Sequence, residues 1–296
     1  MPPSHVAVPS TSAAPGGLTD ALKSALLTLL ADEDPAVFSA ARARILSEGL
    51  EAQTWLRPHL RSGEAVLRRR VAEILDTLER QRADTEFLAF CLRHGEECDL
   101  ETGAWLLART QYPDISVAGY QAWLDSIAAD IRERLGQTAP TLRCLAVLND
   151  HLFNELGFRG NEREFYDPQN SYLNRVLDRR TGNPICLCIL YWLLARRLRL
   201  PVVGVALPRH FVCRFQTPTD TVFIDVFRRG KLLTRADCIR FLQQIGQGFQ
   251  ESYLAPATAG RTLLRLCANL HQIYHELHRR EDEARFQRYV VALARH

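Results

Sequence analysis

The sequence predicts an α+β protein: an all-helical N-terminal region, a small antiparallel sheet after residue 200, and a helical tail. Three observations carry that expectation. Apolar residues recur at three- and four-residue spacing through much of residues 18–156, as on one face of a helix. Residues 185–195 are apolar nearly all round until Arg196 and Arg197, the mark of a central helix buried on every side. Residues 202–207, 211–215 and 222–227 are short runs of β-branched and aromatic residues. Pro208 and Thr217-Pro218 separate them, and they read as antiparallel strands.

In chain order, residues 1–17 are rich in Pro, Ser, Ala and Gly and predict disorder. They lack the basic and apolar regions of a secretory signal. Leu22, Ala25, Leu26, Leu29 and Leu30 mark the first helix face. Residues 32–46 then align without gaps with 61–75, matching Ala36 to Ala65, Val37 to Val66, Ala43 to Ala72, Ile45 to Ile74 and Leu46 to Leu75. The match resembles a short pair of HEAT-like hairpins, and two ordinary amphipathic helices give the same pattern. Arg68, Arg69 and Arg70 read as a solvated face.

A second helical block covers residues 84–135. Asp99 is placed to cap a helix, Pro113-Asp114 interrupts the pattern, and Val117, Tyr120, Trp123, Leu124, Ile127 and Ile131 mark the next amphipathic face. Residues 136–140 read as a linker, and a helix over 141–156 ends at Gly157, the usual left-handed cap. Gly160, Asn161, Asp167, Pro168 and Asn170 crowd the next segment into a long ordered loop. Asn183 and Pro184 are the N-cap and first-turn residues of the central helix. Helices over 235–244, 261–276 and 282–294 follow the strands. The last two resemble one degenerate tetratricopeptide-like hairpin, too little to stack as a solenoid. The resulting partition is a disordered 1–17, a helical region 18–140, a core 141–245 and a helical tail 246–296.

At 296 residues and 47% apolar, the chain can bury a sizeable core. A net charge of +3 forces neither a nucleic-acid nor a membrane partner, and no apolar run reaches the ~20 residues that span a bilayer. Eight cysteines at irregular spacing, mostly inside apolar runs, read as buried thiols of a reducing compartment. A cytoplasmic location follows as the expectation.

Cys186, His210 and Asp225 stand in the order of an activated thiol nucleophile. A thiolate attacks, an imidazole relays the proton, and a carboxylate orients the imidazole. Cys186 lies in a helix first turn, where amide groups and the positive dipole end favour a thiolate. This order is that of papain-like and transglutaminase-like folds. Cys186-x-Cys188 with His210-x-x-Cys213 offers zinc-ligand types, but the C-x-C spacing puts its two thiols on different helix faces, and His271, His275 and His278 share one helix face without an HExxH motif, so no metal and no cofactor is expected.

Longer segments are more specific. ARTQYPD (108–114), LNDHLFNELGFRGNEREFYDPQNSYLNRVLDRRTGNPI (148–185), ALPRHFVCRF (206–215) and FIDVFRRGKLL (223–233) closely resemble the SirB-type transglutaminase-like family of bacteria over roughly residues 95–275. The resemblance implies a transglutaminase-like core preceded by a helical region. The chain departs at Arg209 and Val226, where the family usually shows glycine and proline. Counting back without gaps from Arg196 puts Pro184 where active relatives carry the cysteine. Cys186 lies two residues on, about 200° round the helix. Two functions stay open. One is a catalytically silent protein-interaction or regulatory module whose cleft holds a peptide. The other is a thiol-dependent amide or peptide hydrolase or acyltransferase.

Overall fold

The computed structural model describes residues 18–135, 141–217 and 221–295. The expected disorder of 1–17, the linker 136–140 and Pro218 lie outside them. By compactness the chain divides into two units, residues 1–82 and 83–296.

The described part of the first unit is all helical: α1 (Asp20–Ala31), α2 (Pro35–Leu46), α3 (Glu51–Leu56) and the first half of α4 (Ala65–His94). Thr19 caps α1 by accepting from the Leu22 amide, and Asp34 caps α2 ahead of Pro35 in its first turn. Leu26, Leu30, Ile45, Leu56, Val71 and Ile74 form its core. The segments matched in sequence fall on α2 and on the start of α4, and α4 runs on to His94 across residue 84, where the sequence predicts the start of a second helical block. Arg70 is not simply solvated. Its guanidinium donates to the Leu30 and Asp32 carbonyls at the C-terminal end of α1 and lies 4.3 Å from the Phe38 ring centre.

The second unit is α+β. After α4 come α5 (Leu100–Gln111), α6 (Val117–Leu135) and α7 (Thr141–Asn149), which passes into a π-helical turn at Asp150–Glu155. Asp99 caps α5 through the Thr102 amide. The short strands β1 (Arg159–Gly160) and β2 (Thr181–Gly182) pair in parallel around α8 (Leu173–Arg179). α9 (Pro184–Arg197) is the buried centre: Pro184 to Tyr191 are all inaccessible, as are Leu193, Leu194 and Ala195. Strands β3 (Val202–Val205), β4 (Val212–Gln216), β5 (Thr221–Asp225) and β6 (Lys231–Leu233) form one antiparallel sheet in sequence order, with Cys213 opposite Ile224. The unit closes with α10 (Arg235–Gln244), α11 (Ala259–Glu276) and α12 (Arg280–Leu293). α11 is tied to the core by the buried hydroxyl pair Tyr172–Tyr274 at 2.8 Å. No helix among the described residues is long and apolar enough to cross a membrane.

Arg209 sits in the turn before β4 at φ 58°. Side chains other than glycine adopt that left-handed geometry at a cost of roughly 1–2 kcal/mol. This accounts for glycine as the usual residue in the resembling family. Arg209→Gly should therefore stabilise the second unit by about 0.5–1 kcal/mol after the extra unfolded-state entropy of glycine is subtracted. The readout is a higher denaturant midpoint at unchanged slope.

Candidate functional site

The loop rich in turn residues is a polar scaffold. Asp167 accepts from the Gln169 amide and takes the Arg179 guanidinium at 2.6 Å. Buried Asn170 donates to the Glu164 and Phe165 carbonyls and accepts from Asn161, and its carbonyl receives the Asn183 amide at 3.0 Å. Asn183 donates to Ser171 Oγ at 2.7 Å and accepts from the Cys186 amide at 2.8 Å. These bonds satisfy a buried backbone and fix the head of α9. They also occupy the Cys186 amide, one of the helix-terminal donors that would otherwise favour an anion.

His210 and Asp225 come together. His210 lies two residues before β4, with its amide donating to the Leu207 carbonyl. Asp225 ends β5 and is 3% exposed. His210 Nε2 is 3.0 Å from Asp225 Oδ2, yet makes no directed hydrogen bond, so the contact is one of proximity and not of N–H alignment. Asp225 Oδ1 accepts from the Arg228 amide at 3.2 Å, and the Arg228 guanidinium stands 3.8 Å from Oδ2. The imidazole packs between the Phe227 and Phe241 rings, with centres at 6.3 and 5.5 Å. The pair faces a cavity of about 230 Å3 whose wall includes Arg228, Cys238, Phe241 and Gln244.

Cys186 does not join them. It is 1% exposed, burial pushes its thiol well up, and no hydrogen bond links its sulfur to His210 or Asp225. It is absent from the wall of their cavity. Pro184 occupies the first position of α9 and is buried. Cys188 donates to the Phe211 carbonyl at 3.5 Å, and burial together with neighbouring Cys213 pushes its thiol up as well. The thiol that shares the cavity with the imidazole is Cys238, on α10. Sequence reasoning passed over it because it follows both partners in the chain, outside the expected order. Burial, then the carboxylates of Asp237 and Asp225, raise it to about 11, which opposes thiolate formation at neutral pH. No three histidine, cysteine or carboxylate groups among the described residues are disposed to hold a metal ion.

The model of the transglutaminase-like superfamily matches residues 118–268, half of the chain, and encloses α9, His210 and Asp225. The chain belongs to the transglutaminase-like superfamily. Among its relatives, a UPF0162 protein of Xylella fastidiosa is 34% identical over 196 residues, covering 64% of this chain and 70% of that protein. A UPF0162 protein of Pseudomonas aeruginosa is 31% identical over 188 residues, with 62% and 67% covered. F-box only protein 21 of Mus musculus is 34% identical over 134 residues, 43% of this chain and 21% of that protein. No solved structure matches. The matched region thus brings His210 and Asp225 into contact beside the sheet, while Pro184 stands at the head of the central helix and Cys186 lies outside their cavity.

Proposed function

We propose that this chain is a SirB-type transglutaminase-like protein that is catalytically silent and serves as a protein-interaction module, its core cleft holding a peptide segment of a partner. One observation carries the reading: proline stands at the helix head, and the Cys186 thiol two residues on is buried, raised and unconnected to His210. Acyl transfer needs a thiolate in hydrogen-bond reach of its base. Without one, the retained histidine–aspartate pair is a polar wall of a binding cleft. The helical segments within 18–135 and 246–295 offer further interaction surface, and the buried thiols suit a reducing cytoplasm.

The preserved pair is also what a hydrolase or acyltransferase would need, so the test is directed at the thiols. Seven cysteines are buried and Cys144 is half-buried. Iodoacetamide at neutral pH should modify Cys144 alone in the folded protein, with an unchanged pattern in His210→Ala. Rapid labelling of Cys186 or Cys238 that disappears in His210→Ala would establish the thiol enzyme instead.

A further inference from the structure

A larger cleft, of about 540 Å3, shares Arg228 with the histidine cavity. Four arginines line it, Arg159, Arg163, Arg228 and Arg229, with Glu162 the one acidic residue of its wall and the Arg228 guanidinium 3.8 Å from Asp225 behind it. Other arginines of the second unit are neutralised by carboxylates. Arg179 pairs with Asp167, and Arg197 pairs with Glu101 and Asp125. Arg159 and Arg163 are exposed and have no ion-pair partner among the described residues. Gathered like charges repel, and an anion between them removes that penalty.

The cleft is also built, not merely charged. Arg229 Nη2 donates to the Phe153 carbonyl at 3.0 Å and to Asn154 Oδ1 at 2.9 Å, both on the π-helical turn. Its backbone holds φ 55°, a conformation that a non-glycine residue keeps only where surrounding contacts impose it. Gly160 donates its amide to the Phe227 carbonyl at 3.2 Å. A Cβ at Gly160 would meet the Phe227 ring at 2.5 Å, so glycine lets the floor of the cleft close against that ring.

We propose that this cleft docks an acidic peptide segment of a protein partner, its carboxylates received by the forked guanidinium groups. The inference rests on the reading of the core as a peptide-binding module and gives that peptide its chemistry. Arginine matches carboxylates in two-pronged fashion. The volume suits a few residues, while nucleic acids are held along extended basic tracks, which a chain of net charge +3 does not supply.

Fluorescence anisotropy on the full chain with labelled oligoglutamate tests it. Saturable binding that weakens as salt is added, and falls at least about tenfold in Arg159→Glu/Arg163→Glu, is the expected result. Arg69→Ala, in the first unit, should leave it unchanged. Both substituted cleft side chains are exposed and unpaired, so circular dichroism should show an intact fold. Undetectable oligoglutamate binding, full affinity in the double variant, or tighter binding of an oligothymidylate of equal length overturns the proposal. The thiol test fails separately. Labelling of Cys186 or Cys238 that depends on His210 would end the silent reading with the acidic cleft standing, whereas unreactive thiols without peptide binding end the cleft alone.

Discussion

His210→Ala should destabilise the second unit by about 3 kcal/mol, because it strips the partner from a carboxylate that has almost no water of its own. Asp225 is 3% exposed and keeps only the Arg228 amide at 3.2 Å and its guanidinium at 3.8 Å once the imidazole is gone. The change also removes a ring packed between Phe227 and Phe241. The two contributions are separable. Asp225→Asn in the same background removes the buried charge, so the double variant should be more stable than the sum of single changes by about 1–2 kcal/mol. Denaturant unfolding followed by tryptophan fluorescence reads both numbers. A double variant that is merely additive would mean that the pair is not electrostatically coupled and that His210 acts only as packing.

Gly230→Ala should cost about as much, by a different route. Gly230 holds φ 73°, and a Cβ there would lie 2.5 Å from Phe153 Cε2 and 2.7 Å from Asn149 Cγ. The left-handed backbone alone costs a residue with a Cβ about 1–2 kcal/mol, and forcing an atom into packed side chains adds about 1–3 kcal/mol. Asn149 cannot simply yield. Its Nδ2 donates to the Gly230 carbonyl at 3.0 Å, and its Oδ1 accepts from the Tyr191 hydroxyl of α9 at 2.9 Å. A loss of about 3 kcal/mol in unfolding free energy is the expected measurement. A second consequence follows from geometry: the same turn sets Arg229, so oligoglutamate affinity should fall in Gly230→Ala even at temperatures where the chain stays folded.

Much of the architecture was legible because it is locally encoded. Asp99 and Asn183 cap the helices where a short polar side chain before an apolar run suggests. Pro113 falls between α5 and α6, and Gly157 takes the left-handed conformation that ends the helical stretch before it. The π-helical turn at Asp150–Glu155 was not legible, since one extra residue in a turn leaves the apolar spacing almost unchanged. Nor was the continuity of α4 across Asp84, where the apolar periodicity suggests a new helical block. Arg70 looked like one of three solvated charges, and only the end of α1 beside it gave its guanidinium two carbonyls to satisfy.

By itself the sequence determined the kind of protein: helix periods, caps and β-branched runs fix an α+β order, and the order of thiol, imidazole and carboxylate names a transglutaminase-like arrangement. Those signals depend on neighbours a few positions apart, which a linear reading contains. Tertiary structure alone decided which groups meet. It set the rotation of α9 that buries Cys186, brought Cys238 from α10 to the imidazole cavity, and gathered Arg159 and Arg163 with Arg228 and Arg229 from distant turns. Side-chain convergence depends on how elements pack against one another, and no spacing within a single element records it.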